Sequence, residues 1–226
     1  MCGRVTLELD IQLLRDILNE AYGVKTMTLN HYKPRYNIAP SQPILSVIND
    51  GVSNRAGYLK WGFVPSWSKD SSIGNKLFNA RSETLAIKPT YKDAFSTKRC
   101  LILASSFYEW QSHSPDRTPY RISLKESPLM PMAGLWSSYK TLDNTKIYTC
   151  TIITTQANDL IKNIHNRMPV ILSPNQINAW LNPKNKDVLA LQAMLLPYTS
   201  KSMTMHPVST LINNVKIDHE DCIRPL

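Results

Sequence analysis

The chain has 226 residues, 42% of them hydrophobic, and a formal net charge of +9, so it can bury a full core and we expect one domain, residues 1–226. No apolar run approaches the ~18 residues of a membrane-spanning helix, and no basic segment followed by an apolar stretch predicts a secretory signal. The charge favours polyanionic partners, nucleic acid first, although scattered basic residues are also common on soluble proteins.

The N-terminal part of the sequence predicts a helix at 10–22, strands at 43–49 and 56–61, and a long loop at 62–98. Apolar side chains fall on one face of the helix, Asp10 can cap its start and Gly23 suits its end. Because the long loop holds residues of buried type, Trp67 and Phe78 among them, we expect it to be ordered and functional.

The C-terminal half predicts five strands at 100–104, 120–124, 132–136, 147–154 and 204–208, and two helices at 173–181 and 187–195. Ser173-Pro174 has the pattern of an N-cap followed by a first-turn proline. Strands dominate the middle of the chain and do not alternate with helices. The sequence therefore predicts an α+β fold, with a mostly antiparallel, barrel-like β core flanked by helices.

The four cysteines are Cys2, Cys100, Cys150 and Cys222. None forms a close pair of the kind that zinc sites use, so we expect no metal and no cofactor. Cys100 and Cys150 lie in apolar, strand-like runs and are interpreted as small core residues. This cysteine usage fits a reducing compartment.

Cys2 carries the most informative chemistry. Cellular aminopeptidases usually remove a methionine that precedes a small residue, and loss of Met1 would leave Cys2 with an α-amine and a thiol on adjacent carbons. Their ordinary pKa values, about 7.7–8.0 and about 8.5, leave both groups partly deprotonated near neutral pH. An aldehyde would form a Schiff base with the amine, and the thiol would then close a thiazolidine ring. The alternative is that Cys2 is simply the second residue of a frayed terminus.

Two further segments place polar groups beside apolar ones. In the long loop, Asn79 offers donors and an acceptor, and Arg81 offers a fork suited to phosphate. A turn capped by Asn79, with a surface pair between Arg81 and Glu83, fits the same residues. Glu109 lies between aromatic neighbours, where desolvation would raise its pKa and suit it to proton transfer. Taken alone, a carboxylate at a strand end more often points to water.

His165 lies in the most polar cluster of the C-terminal half. Histidine is the side chain best suited to move protons at neutral pH, and Arg167 could hold a phosphate near it. A lone histidine is nevertheless more often structural than catalytic. Among the tryptophans, we place Trp61 in the core and Trp67 at the surface, where it could stack on a base.

Seven segments in this order along the chain carry a resemblance: Met1-Cys2-Gly3-Arg4, Arg35-Tyr36-Asn37-Ile38-Ala39-Pro40, Trp61-Gly62-Phe63-Val64-Pro65-Ser66-Trp67, Asn79-Ala80-Arg81-Ser82-Glu83-Thr84, Phe107-Tyr108-Glu109-Trp110, Ile164-His165-Asn166-Arg167-Met168-Pro169 and His206-Pro207-Val208-Ser209. Each segment is a weak signal, but together they resemble the SRAP (SOS-response-associated peptidase) family from end to end.

The resemblance implies a sensor of abasic sites in single-stranded DNA that acts in the DNA damage response. Such a protein would join Cys2 to the aldehyde of the opened sugar as a thiazolidine crosslink, which protects the lesion. The family is also proposed to cleave its own N-terminus, so lyase-type crosslinking chemistry and a peptidase activity are both implied. We expect a monomer in the cytoplasm, associated with the nucleoid in a bacterium, or in the nucleus of a eukaryote, with no membrane partner.

The resemblance also implies roles for single residues. Asn79 would hydrogen-bond the adduct at Cys2, Glu109 would shuttle protons beside the amine, and His165 would donate a proton to the sugar oxygen. The implied DNA contacts are Arg81 and Arg167 at phosphates, Trp67 by stacking, and Arg4 and Asn37.

The chain departs from the family pattern at several positions. Asn166 stands where the family usually has Asp, which removes one negative charge beside His165. Ser68 follows Trp67 where a second tryptophan is frequent, so the stacking wedge would be smaller. Relatives often carry polar residues where this chain has Ile217-Asp218.

Two alternatives remain open on the sequence. An N-terminal-nucleophile cysteine hydrolase of the glutamine amidotransferase type also begins Met-Cys-Gly and uses the free amine as a base. A non-enzymatic module that binds single-stranded nucleic acid would need only the basic surface and exposed aromatic residues.

Overall fold

The computed structural model describes residues 2–111, 117–141 and 143–226. Over those residues the strands are β1 Val5–Leu7, β2 Val24–Met27, β3 Arg35–Ile38, β4 Pro43–Asn49, β5 Asn54–Trp61, β6 Asn79–Arg81, β7 Arg99–Ala104, β8 Ser106–Trp110, β9 Pro119–Leu124, β10 Met130–Lys140, β11 Lys146–Gln156, β12 Arg167–Pro169 and β13 Met203–Pro207. The α-helices are α1 Ile11–Glu20, α2 Lys92–Thr97, α3 Pro174–Leu181 and α4 Val188–Ala193.

Five strands close into a barrel in the order β11-β10-β7-β4-β5, and a parallel pairing of β5 with β11 completes the ring. The other four pairings are antiparallel. Alternate side chains of these strands fill the interior, and the packing there is tight. A Cβ added to Gly134 would lie 2.8 Å from Ile102 Cδ1 and 3.0 Å from the Thr151 carbonyl oxygen. The expected barrel-like α+β core is confirmed.

A second sheet, in the order β13-β9-β8-β1-β3, brings the N-terminus beside Glu109. Strand β1 pairs with both β3 and β8, with Val5 opposite Phe107. The Tyr108 backbone N–H donates to the Arg4 carbonyl at 2.9 Å, which extends the alignment toward Cys2. A buried hydroxyl pair between Thr6 and Ser106, 2.6 Å apart, fixes the same register. The first residues of the chain are therefore held in the sheet.

Most predicted elements are present with small changes of boundary. Asp10 caps α1 by accepting from the Gln12 backbone N–H at 2.7 Å, and Gly23 has the left-handed φ of +57° that follows a helix end. Ser173 begins α3 with a capping box. Trp61 is fully buried and Trp67 is 61% exposed, as expected.

One expectation needed correction, and four short strands were not predicted. The stretch 62–98 is ordered but is not only a loop, because it contains β6 and α2. Strands β1, β2, β3 and β12 are three or four residues long, too short for an alternating pattern to reveal them. Over the described residues, no helix combines the length and the apolar character needed to cross a membrane.

Candidate active site around Cys2

Cys2 lies at the start of the second sheet with its side chain completely buried. The Asn79 Nδ2 donates to the Cys2 carbonyl oxygen at 2.7 Å, across 77 residues of sequence. Strand β6 holds Asn79 in place, since it pairs in parallel with β11 and sets Asn79 opposite Ile152. The expectation that these two residues meet is therefore met by a direct hydrogen bond, and Cys2 is not in a frayed terminus.

The oxygen of the Asn79 amide suggests that the site receives a ligand. Its Oδ1 is buried and has no hydrogen-bond partner among the described residues. An unsatisfied buried amide oxygen costs about 1–3 kcal/mol, so native structures rarely leave one without a reason. A donor brought in by a bound molecule would satisfy it. Asn79 lies in a strand rather than capping a turn, so that alternative is wrong.

Glu109 is only 3% exposed, in strand β8. Burial raises the pKa of its carboxyl above the ordinary value, while the nearby charge of His165 acts in the opposite direction. The alternative in which Glu109 points to water is wrong, because almost none of the residue is accessible to solvent. A carboxyl group whose pKa is raised by burial holds its proton more readily than an exposed one, which suits it to proton transfer.

The Cys2 thiol is kept protonated by its surroundings. Burial raises its pKa, and the negative charge of Glu109 raises it further. A neutral thiol is a weak nucleophile, so the site does not favour direct attack by sulfur. The arrangement instead favours chemistry in which an amine attacks first and the thiol closes afterwards.

His165 is oriented by the main chain. The Arg167 backbone N–H donates to His165 Nδ1 at 3.0 Å, so Nδ1 acts as an acceptor and the neutral ring carries its proton on Nε2. The electrostatic influence of His165 on Glu109 places the two groups near each other. The neutral imidazole can therefore offer an Nε2–H donor.

Arg167 is held by Glu83 in a two-point contact, with Nη1 and Nη2 donating to Oε1 and Oε2 at 2.5 and 3.0 Å. Nη2 also donates to the Thr154 carbonyl at 2.5 Å. The Arg167 guanidinium holds the pKa of the Glu83 carboxyl below its usual range. The Arg81–Glu83 pair considered from sequence is wrong, since Glu83 bonds Arg167, 84 residues away.

The residues expected to contact DNA do not form one cluster. Arg81 is exposed at the end of β6, beside the catalytic candidates. Arg4 donates to Asn37 Oδ1 at 2.6 Å and lies 5.7 Å from the centre of the Trp110 ring. Asn37 is completely buried, and its amide donates to the Ile217 carbonyl at 2.6 Å. These contacts give Arg4 and Asn37 a structural role, and their contact with DNA stays a prediction.

Trp67 lies in a separate small cleft, which it shares with Pro89, Lys98 and Ser137. Its large exposed ring is available for stacking. No group of three or more His, Cys, Asp or Glu side chains with the geometry to hold a metal ion occurs among the described residues.

Sequence reasoning missed two residues that shape this region. Glu83 anchors Arg167, and Asp218 accepts from the backbone N–H groups of Tyr36 and Asn37 at 2.6 and 3.0 Å and from the Arg35 side chain. Both contacts join segments more than 80 residues apart. The departure at Ile217-Asp218 was visible in the sequence and could have singled out Asp218.

Comparisons with known proteins place the whole chain in one family. The family model described as SOS response associated peptidase (SRAP) matches residues 1–215. Abasic site processing protein YoqW of Bacillus subtilis is 46% identical over 224 residues, which is 99% of each chain. Abasic site processing protein HMCES of Gallus gallus is 32% identical over 264 residues, covering 100% of this chain and 78% of that protein.

A crystal structure of a Bacteroides thetaiotaomicron protein superposes over 100% of both chains with a TM-score of 0.86, at 22% identity. That likeness is evidence for the fold alone. The fold of this chain is therefore shared with a solved protein over its whole length.

Proposed function

The chain belongs to the SRAP family, and on that premise we propose that it processes abasic sites in single-stranded DNA by crosslinking them to Cys2. The names of its relatives, abasic site processing proteins, support the substrate class. The observation that carries the proposal is the hydrogen bond from Asn79 to the buried Cys2. The charge of Glu109 raises the pKa of the Cys2 thiol, and His165 acts on the pKa of Glu109, which supports a shared site.

The reaction begins once Met1 has been removed. The Cys2 α-amine adds to the C1′ aldehyde of the opened sugar, and the resulting carbinolamine loses one water to give a Schiff base. The thiol then adds to the imine carbon and its proton passes to the nitrogen, which closes the thiazolidine. No oxidant or reductant takes part. The free amine, rather than a thiolate, opens the sequence, in agreement with the raised thiol pKa.

Each neighbour has a distinct task in this scheme. His165 offers its Nε2–H to the sugar ring oxygen and so favours the open aldehyde. Glu109 takes a proton from the attacking amine and returns it to the departing hydroxyl as water leaves. Asn79 fixes the Cys2 backbone through Nδ2, while its unsatisfied Oδ1 accepts a hydrogen bond from the adduct.

Closure of the ring also controls the fate of the DNA strand. A Schiff base at C1′ acidifies the C2′ protons, and loss of one of them expels the 3′ phosphate and cuts the strand. Addition of the thiol removes the imine and stops this elimination. Lyase-type cleavage and a stable crosslink are therefore alternative outcomes of one intermediate, selected by the Cys2 sulfur.

A Cys2→Ser variant separates the two steps, since it keeps the α-amine and loses the thiol. Mixed with a single-stranded oligonucleotide carrying one abasic site, it should give an adduct only when borohydride reduces the Schiff base, and it should cut more of the strand. Wild type and a Cys222→Ala control should give a stable adduct without borohydride. A stable, unreduced adduct with Cys2→Ser would contradict the thiazolidine.

A duplex carrying the same site tests the preference for single strands. Glutamine hydrolysis without any DNA adduct would move the assignment to an N-terminal-nucleophile hydrolase. His165→Ala should slow both formation and reversal of the crosslink. Unchanged rates in that variant would remove His165 from the mechanism.

A further inference from the structure

The barrel is open at the end that lies away from Cys2. Strand β11 runs from Tyr148 at this opening to Thr154 beside Arg167, a separation of about 20 Å at about 3.3 Å per residue. A cavity of ≈ 520 Å³ lies there, within the range of about 300–1,000 Å³ that small-molecule sites occupy. We call it the barrel mouth, and its lining includes Tyr58, Arg55, Lys98, Trp136, Lys146 and Tyr148.

The charge of the barrel mouth is positive and incompletely balanced. Of its charged lining residues, Asp50 is the one carboxylate, and Arg55 bonds it at 3.2 Å. Lys98 and Lys146 form no ion pair among the described residues. Three cations and one carboxylate leave a net charge of +2 at the opening, which favours an anion.

Aromatic rings supply the rest of the wall. The rings of Trp136 and Tyr148 lie 6.3 Å apart, with Lys98 5.5 Å from the first centroid and Lys146 5.3 Å from the second. Tyr148 is 43% exposed. The two ammonium groups lie over the ring faces, so an aromatic ligand with an anionic group would meet both an exposed ring and a positive charge.

In the described part of the chain, one buried donor of a lining residue lacks an acceptor. The Trp136 Nε1–H is buried and has no hydrogen-bond partner among the described residues. Buried indole N–H groups usually find one. An acceptor entering the mouth would satisfy it.

We propose that the barrel mouth is a nucleotide-binding site, in which a base stacks on the exposed Tyr148 ring with one edge toward Trp136, and its phosphate lies between Lys98 and Lys146. A base offers a flat ring and carbonyl or ring-nitrogen acceptors for the Trp136 Nε1–H, and the phosphate matches the surplus charge. Two sources have this chemistry: a free nucleotide, or one nucleotide of a DNA strand. Lys98 also lines the cleft that holds the exposed Trp67, so a strand could pass from one to the other.

The test uses undamaged ligands, so it does not depend on the chemistry at Cys2. A nucleoside 5′-monophosphate and an undamaged single-stranded oligonucleotide are titrated calorimetrically into wild type and into a double variant, Lys98→Ala with Lys146→Ala. A double variant with the same loss of charge elsewhere, Lys184→Ala with Lys201→Ala, is the control. Trp136→Phe keeps an aromatic ring at this position and removes the Nε1–H donor together with part of the ring surface.

We expect the mouth variant to bind at least tenfold more weakly, since charge-assisted hydrogen bonds typically contribute that much, while the control stays within twofold of wild type. Trp136→Phe should weaken binding several-fold. Loss confined to the oligonucleotide assigns the site to a DNA strand, and loss with both ligands assigns it to nucleotides in general. Equal affinities in the mouth and control variants would overturn the proposal, as would inorganic phosphate binding as tightly as the nucleotide.

Discussion

Replacing the buried carboxyl group with an amide, Glu109→Gln, separates catalysis from stability. The change keeps the size of the side chain and removes its ability to carry a proton. A positioned general acid–base group contributes typically 10²–10⁴-fold to a rate, which corresponds to about 2.7–5.4 kcal/mol of barrier. Because Glu109 is only 3% exposed, bulk water cannot easily replace it, so we expect crosslinking to slow by at least about 100-fold.

The same variant should be more stable than wild type at neutral pH. Burial raises the pKa of Glu109, so the folded state favours the protonated carboxyl group. Its contribution to stability is fully present below the unfolded pKa of about 4.3 and is lost as pH rises through the higher folded value. Glutamine does not ionise, so the advantage of the variant should grow from acid toward neutral pH.

Single-turnover crosslinking and urea unfolding at several pH values measure the two effects on one preparation, with removal of Met1 checked in both proteins. The expected pattern is a slower reaction in a more stable protein. A crosslinking rate equal to wild type would refute the catalytic role of Glu109. A variant less stable than wild type at neutral pH would refute the effect of burial on its pKa.

Three further changes, one of them with a matched control, test other parts of the structure. Glu83→Gln should weaken the contact with Arg167, lower the free energy of unfolding by about 1 kcal/mol in thermal melting, and slow crosslinking. An unchanged crosslinking rate would show that the pair does not position His165. Gly134→Ala should destabilise the barrel by about 1–3 kcal/mol, because the new Cβ would lie 2.8 Å from a neighbour. Gly57→Ala, with its nearest contact at 3.8 Å, should be neutral or stabilising by calorimetry. Arg81→Ala should reduce the salt dependence of single-strand binding by about 0.7 in the log–log slope, and an unchanged slope would exclude a phosphate contact.

The chemistry proposed for the site could be inferred from sequence because it depends on residue type. Cys2 next to the N-terminus suggested amine and thiol chemistry, and the aromatic neighbours of Glu109 suggested desolvation. The structure adds the hydrogen bond from Asn79 and the order of the steps, since a buried thiol with a raised pKa is a poor first nucleophile.

Features that join distant segments could not be predicted in this way. The barrel closes through a parallel pairing of β5 with β11, which sets Trp61 opposite Cys150, and neither strand carries a local signal for that partner. The pair between Glu83 and Arg167 spans 84 residues. Short-range patterns report which face of a strand is buried, whereas partner choice depends on how the whole barrel closes.

The most direct test of the central claim is the intact mass of the wild-type protein after mixing with a single-stranded oligonucleotide that carries one abasic site. The expected product is a single adduct whose mass equals the protein without Met1, plus the oligonucleotide, less one water, and which is absent with Cys2→Ala. Protein that has lost Met1 and forms no adduct would contradict the account, as would an adduct that persists in Cys2→Ala.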